Sequence, residues 1–227
     1  MKSKNKGGQG PGIFMKKAIL WDFGGVLTTS PFEAFAKFEA AQDLPRNFVR
    51  QVNSTNPDSN AWAQFERSAV TLDEFDKLFE AESAALGHAV SGKEIVKLLA
   101  GAVRPRMVAA LKLCTEKYNC TCLTNNVPAG MGPGMTRHEE AQTEVDEVMK
   151  LFRQVIESSK IGLRKPDPKI YDYACTEMGV VADEVIYLDD LGINLKPAAA
   201  MGMTTIKVVT EEQALADLQA ATGLVFP

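Results

Sequence analysis

Short apolar runs alternate with amphipathic segments in the second half of the chain, and this alternation constrains the fold more than any other feature. Four runs have the length and composition of buried strands: CTCLTNN (120–126), QVIES (154–158), EVIYLDD (184–190) and MTTIKVV (203–209). Segments with helical periodicity separate them. Strands that alternate with helices imply right-handed crossovers and a parallel sheet covered on both faces. We therefore predict an α/β protein with a doubly wound parallel sheet.

The first part of the chain contributes one strand and then a long helical region. KKAILWDF (16–23) is an apolar run bounded by polar residues and glycines, which predicts another buried strand. Residues 30–102 contain no convincing strand, and their apolar residues recur at helical spacing. We predict a core formed by 15–29 and 103–227, with a helical insert at 30–102 after the first strand.

Composition excludes several classes of function. The net charge of −4 gives no nucleic-acid or anionic-membrane footprint, and no apolar stretch approaches the ~18 residues of a membrane span. With two histidines and no CxxC pair, a zinc site is disfavoured, and four free thiols fit a reducing compartment. We expect a cytoplasmic protein. Residues 1–14 are basic and glycine-rich, which predicts a disordered leader.

Polar side chains at the ends of three predicted strands mark a candidate site. They are Asp22, then Thr124 with Asn125 and Asn126, and then Asp189 with Asp190. One polar strand end usually marks a turn or a helix cap. Three together, two of them acidic, indicate a site, because ligands bind outside the carboxyl ends of the strands in such sheets. Lys165 lies in GLRKPDP (162–168), and taken alone it would be an exposed loop lysine beside Asp167.

These four pieces resemble the haloacid dehalogenase-like (HAD) hydrolases, in order and spacing, from Lys16 onward. DFGGVLT resembles the first family motif, LTNN the second, Lys165 the third and YLDDLGINLKPA the fourth. The last string and IGLRKPDPKIY are most similar to the N-terminal phosphatase domain of bifunctional epoxide hydrolases and to a related domain fused to some acyl-CoA dehydrogenases. The resemblance implies a Rossmann-like core, with residues 30–102 as a helical cap.

The resemblance also implies a Mg²⁺-dependent phosphatase that acts on a small phosphorylated metabolite. Asp22 would be the nucleophile, and an aspartyl-phosphate would form and then be hydrolysed. Thr124, Asn125 and Lys165 would bind the phosphoryl group. Asn194 would orient Lys165 or the acids, or else cap the helix that follows. The implied Mg²⁺ ligands are carboxylates and one backbone carbonyl, from Asp22, Asp189, Gly24 and, directly or through an outer contact, Asp190.

Gly24 departs from the family pattern, which has a second aspartate two residues after the nucleophile. Glycine keeps the backbone carbonyl that binds the metal and loses the side chain that serves as general acid and base, a contribution of about 10²–10⁴-fold. Turnover should therefore be slow, unless Glu33 or the cluster at 138–140 supplies the acid. A tight turn that needs glycine is a second explanation for this residue.

Two other functions remain open at this point. A dehalogenase would use Asp22 to attack carbon without a metal, although the acids at 189–190 argue against it. A binding or regulatory module would keep the fold and the metal with little turnover, which Gly24 allows. The sequence indicates neither the substrate nor an oligomeric state.

Overall fold

The computed structural model describes residues 15–128 and 139–227, which contain a five-stranded parallel sheet. All five strands fall where the apolar runs predict them. They are β1 (Ala18–Trp21), β2 (Asn119–Thr124), β3 (Gln154–Glu157), β4 (Val185–Asp189) and β5 (Thr204–Lys207). Their spatial order is β3-β2-β1-β4-β5, and every neighbouring pair is parallel. The predicted α/β class and parallel sheet are confirmed.

Helices cover both faces of this sheet. Those of the core are α6 (Pro105–Thr115), α7 (Glu139–Met149), α8 (Ser158–Ile161), α9 (Pro168–Met178), α10 (Gly192–Ala200) and α11 (Glu211–Thr222). Side chains alternate across a strand, so Ile19 and Trp21 of β1 pack into one hydrophobic cluster, and Ala18 and Leu20 pack into a second. Burial on both faces explains why the central strands β1 and β4 are continuously buried rather than alternating, whereas the edge strand β5 is largely exposed.

Five helices lie between β1 and α6, and they form the predicted helical insert. They are α1 (Pro31–Ala41), α2 (Phe48–Ser54), α3 (Ala61–Glu66), α4 (Leu72–Ala85) and α5 (Gly92–Val96). A third hydrophobic cluster lies among them, in which the rings of Phe65 and Phe75 stack with centroids 4.5 Å apart. We call residues 30–102 the cap; its boundaries as a separate domain stay a prediction.

The two ends of the cap meet where it leaves and rejoins the core. Thr28 and Val103 form an isolated antiparallel bridge, and the Thr29 N–H donates to the Ala102 carbonyl at 2.8 Å. We call Thr28–Thr29 and 102–103 the hinge. Because both strands of the connection are paired, the cap is attached to the core at a defined point beside the end of β1.

Some predictions concern residues outside the described ranges. The disordered leader at 1–14 is one, and so is His138, while the side chains of Glu139 and Glu140 are not described either. Within the described ranges, all four cysteines are free thiols. None of the described helices combines the length and apolar character that crossing a membrane requires.

Candidate active site

The parallel sheet brings the polar strand ends to one edge. Asp22 follows β1 directly, and Thr124 and Asp189 are the last residues of β2 and β4. The register aligns Trp21 with Cys122 on one side and with Leu188 on the other, so Asp22 is level with Asp189. The strand order reverses beside β1, where a doubly wound sheet opens a crevice for ligands.

Lys165 is buried at the centre of this edge, with 1% of its surface exposed. Its ammonium lies 2.8 Å from Asp22 Oδ1 and 2.8 Å from Asp189 Oδ2. The lysine therefore joins the ends of β1 and β4. The alternative of an exposed loop lysine is wrong, because burial and two carboxylates fix the side chain.

Asn125 holds the backbone of that lysine in place. Its Oδ1 accepts the Lys165 N–H at 2.9 Å, and its Nδ2 donates to the Lys165 carbonyl at 2.9 Å. The asparagine side chain thus satisfies both backbone polar groups of Lys165, in the loop between α8 and α9, as a neighbouring strand would. Substrate binding by Asn125 stays a prediction, and the structure adds this positioning role, which the sequence did not indicate.

Asp189 is fully buried and surrounded by donors. Its Oδ1 accepts the Leu191 N–H at 2.8 Å and the Asn194 amide at 3.0 Å. Its Oδ2 accepts from Lys165 and from the Tyr187 hydroxyl, and the Asn194 amide also lies within 3.1 Å. Asn194 therefore orients an acid, as one of its two predicted roles requires, and it lies inside α10 rather than at its cap.

Asp190 differs from its neighbour because its carboxylate is only partly surrounded. The Ser30 hydroxyl donates to Asp190 Oδ2 at 3.4 Å, and the residue is partly exposed. Gly25 lies against it in the left-handed region at φ +76°, and a Cβ on Gly25 would lie 2.3 Å from Asp190 Oδ2. Gly25 is thus required both by its backbone angle and by the position of this carboxylate.

At position 24, in contrast, the backbone conformation does not require glycine. Its φ lies outside the left-handed region, and an added Cβ would meet no atom within 4 Å. The explanation that a tight turn demands glycine is therefore wrong for Gly24 and applies to Gly25. The space where the family places its second aspartate is open in this protein.

The electrostatics of the site are those of crowded acids. Burial raises the pKa of Asp22; Lys165 opposes the rise, and Asp189 and Asp190 add to it. Burial also raises the pKa of Asp190 to about 6, with a further contribution from Asp189. Burial acts to lower the pKa of Lys165, but Asp189 and Asp22 outweigh it and leave that pKa above its ordinary value. The ammonium therefore stays charged at neutral pH.

This donor set fits a hard divalent cation. One carboxylate oxygen from each of Asp22, Asp189 and Asp190 lies within 4.8 Å of the other two. When all three acids are ionised, the Lys165 ammonium that pairs with Asp22 and Asp189 balances only one of their three negative charges. Mg²⁺ prefers such oxygen ligands and would neutralise that excess.

Two residues of the site are absent from the sequence-based prediction. Tyr187 was predicted only as part of a buried strand, because an aromatic residue at such a position normally packs in the core. Glu66, in the cap, belongs to no motif in the sequence. Its contacts with Arg164 and Asn125 exist only because the fold brings the cap against the core. Glu33, one of the predicted substitute acids, lies exposed in the first turn of α1.

Comparisons with known proteins agree with the motifs. The family profile of the haloacid dehalogenase-like hydrolases matches residues 16–202. Bifunctional epoxide hydrolase 2 of Mus musculus is 31% identical over 223 residues, which cover 93% of this chain and 40% of that protein. The chain thus spans well under half of that relative. Sesquiterpene phosphatase astK of Aspergillus oryzae is 27% identical, covering 91% of this chain and 97% of that protein.

Solved structures show the same fold. A HAD family enzyme from Bacteroides thetaiotaomicron, in complex with magnesium and inorganic phosphate, has a TM-score of 0.56 at 21% identity. The match covers 85% of this chain and 93% of that one. Dehalogenases also occur among the similar structures. Motifs, fold and family profile agree, and the chain belongs to the haloacid dehalogenase-like hydrolases.

Proposed function

We propose that this protein is a Mg²⁺-dependent phosphatase that acts on a small phosphorylated compound through an aspartyl-phosphate at Asp22. One observation carries the proposal: a buried lysine bonds the acids at the ends of β1 and β4, with a third acid beside them. A dianionic phosphoryl group needs such a cationic contact. The phosphatases among the relatives support the reaction class.

The geometry favours Asp22 and Asp190 as direct ligands of the metal, with the Gly24 carbonyl as the third protein ligand that the resemblance implies. Asp189 is already saturated by donors, so its main part is to hold Lys165. The resemblance implied that Asp189 is a direct Mg²⁺ ligand; we propose instead that Asp190 takes that role. When bound, Mg²⁺ would neutralise negative charge between the acids and the phosphoryl group.

Asp22, Lys165 and Thr124 have different roles in the proposed reaction. An oxygen of Asp22 attacks phosphorus, and the bond from phosphorus to the leaving oxygen breaks. Lys165 balances charge on the phosphoryl oxygens, and Thr124 helps to position them. Water then attacks phosphorus, which releases inorganic phosphate and restores the Asp22 carboxylate.

Gly24 limits which substrates can react at a useful rate. Since position 24 offers no acid, the departing oxygen takes its proton from water instead. Leaving groups that are stable as anions need this proton least. We therefore propose acyl phosphates, or other phosphates with a good leaving group, as the preferred class of substrate.

An aryl phosphate assay tests this proposal against its alternatives. We expect release of inorganic phosphate that requires Mg²⁺ and stops on chelation. Metal-independent halide release from a 2-halo acid would instead favour a dehalogenase. Mg²⁺ and phosphate binding without any turnover would favour a binding module, the reading that Gly24 supports.

Replacement of Asp190 by asparagine tests the assignment of the metal ligands. We expect the affinity for Mg²⁺ to fall roughly tenfold or more, because even partners that merely orient metal ligands contribute about 10–100-fold. Titration calorimetry with MgCl₂ measures the change. The control is Asp172→Asn, on the exposed face of α9. Equal affinities for wild type and Asp190→Asn would contradict the assignment.

A further inference from the structure

The cap contacts the core through a second group of polar contacts, away from the hinge. The Arg164 Nε lies 2.5 Å from Glu66 Oε2, and the Arg164 Nη1 donates to the Pro57 carbonyl at 3.0 Å. Beside them, the Ser68 hydroxyl donates to the Ser159 carbonyl at 2.5 Å. We call this group the latch. It joins α3 and its flanking loops to α8 and to the loop after α8, which carries Lys165.

Glu66 is the centre of the latch. The residue is 6% exposed, although it belongs to a helix of only six residues at the edge of the cap. Its Oε1 accepts from the Trp62 indole at 3.0 Å, while its Oε2 accepts from Arg164 and, at 3.3 Å, from Asn125. One carboxylate of the cap therefore contacts two loops of the core.

These two loops present the phosphoryl-binding groups. Arg164 directly precedes Lys165 in the chain, and Asn125 directly follows Thr124. Asn125 also makes both hydrogen bonds that fix the Lys165 backbone. Glu66 is thus connected to Lys165 in two ways. It contacts Arg164, the residue next to Lys165 in the chain, and it contacts Asn125, whose amide bonds the Lys165 backbone.

The energetics make the latch sensitive to cap position. A buried carboxylate that loses its partner keeps its desolvation penalty, so Glu66 is stable where it lies only while Arg164 is within reach. Movement of α3 away from the core would break the ion pair and the Asn125 contact together. The hinge, in contrast, is continuous in the chain and would survive that movement.

We propose that Glu66 is a positioning residue that couples the closed cap to the placement of Lys165. This inference rests on the proposed phosphatase function only for its kinetic consequence. With the cap closed, Glu66 holds Arg164 and Asn125, and they hold the lysine where it meets Asp22 and Asp189. With the cap displaced, the loop that carries Lys165 would lose the contacts of Glu66 with Arg164 and Asn125. The ion pairs of the Lys165 ammonium with the acids would remain.

Amide exchange tests the coupling without any substrate. In Glu66→Gln we expect the Lys165 amide, which donates to Asn125, to exchange faster than in the wild type, together with the amides of α3. The matched control is Glu39→Gln. Glu39 is an equally buried cap glutamate, and it accepts the N–H groups of Asn47 and Val49 within the cap. We expect this control to leave Lys165 exchange unchanged.

Kinetics with an aryl phosphate and Mg²⁺ test the functional consequence. We expect Glu66→Gln to lower kcat by about tenfold to 10²-fold, as a small misplacement of a catalytic group does, with a smaller change in KM. Arg164→Gln should cost much less in the Glu66→Gln background than alone, because the two residues act as one unit. Glu39→Gln should keep wild-type kcat per folded molecule.

The outcomes separate this inference from the proposed function. Unchanged Lys165 exchange in Glu66→Gln, or the same acceleration in Glu39→Gln, would overturn the coupling even if the enzyme is an active phosphatase. A wild type that hydrolyses no phosphate would refute the proposed function, while the exchange measurement would still decide the coupling. Additive effects of Glu66→Gln and Arg164→Gln on kcat would also contradict it.

Discussion

Asp22→Asn should abolish phosphate release while the protein stays folded, with a loss in kcat of about 10³-fold or more. The amide cannot act as the nucleophile. It still offers an Oδ1 acceptor to the Phe23 N–H, which now lies 2.7 Å from Asp22 Oδ1. Lys165 also keeps its contact with Asp189. Steady-state assays give kcat, and thermal melting verifies the fold.

A second variant separates loss of the nucleophile from loss of a metal ligand. Excess Mg²⁺ should restore part of the activity of Asp190→Asn, because that change weakens binding of the metal alone. It should not restore Asp22→Asn. Wild-type rates in folded Asp22→Asn, or full rescue by Mg²⁺, would show that Asp22 does not attack phosphorus.

Gly24→Asp should increase turnover, although by less than the full ~10²–10⁴-fold that acid–base catalysis contributes. The position accepts a side chain, since an added Cβ meets no atom within 4 Å and the backbone angle is not left-handed. The new carboxyl would protonate the leaving oxygen and then activate water. We expect the largest gain on alkyl phosphates, whose leaving groups need the proton most.

Gly24→Asn is the matched control, because it fills the same space without an acid. We expect it to leave kcat near the wild-type value. In the wild type, an aryl phosphate should give a burst of the phenol followed by slow hydrolysis of the aspartyl-phosphate, and Gly24→Asp should shorten the slow phase. If Gly24→Asp folds, binds Mg²⁺ and shows no gain on any phosphate, the missing acid does not limit this protein.

The central strands could be predicted because burial on both faces leaves a strong local signal. β1 and β4 are short buried runs, and Asp22 and Asp189 lie at their carboxyl ends. The signal is weakest for β5, in which only Ile206 is buried. Helices α3 and α8 could not be predicted. They have six and four residues, which is too short for a helical period to show. Their positions depend on tertiary packing: α3 places Ala61 and Phe65 in the hydrophobic cluster of the cap, and α8 directly follows β3.

The meeting of Asp22 and Lys165 with the acid pair at 189–190 could be predicted from the family resemblance of the motifs, whereas the different surroundings of the two neighbouring acids could not. Asp189 and Asp190 are neighbours in sequence, and only the fold shows that one is saturated by donors and the other is partly open. Glu66 could not be found either. A glutamate on a helix usually faces water, and its burial follows from Arg164, 98 positions along the chain.

Reductive trapping at Asp22 tests the central claim most directly. The proposed mechanism has no acid at position 24 to activate water, so we expect slow hydrolysis and accumulation of the aspartyl-phosphate during reaction with an aryl phosphate and Mg²⁺. Borohydride reduces an acyl phosphate to an alcohol, so peptide mass spectrometry should find homoserine at position 22. The signal should be absent without substrate and in Asp22→Asn. A burst of phenol with an unmodified Asp22, or with homoserine at another aspartate, would contradict the account.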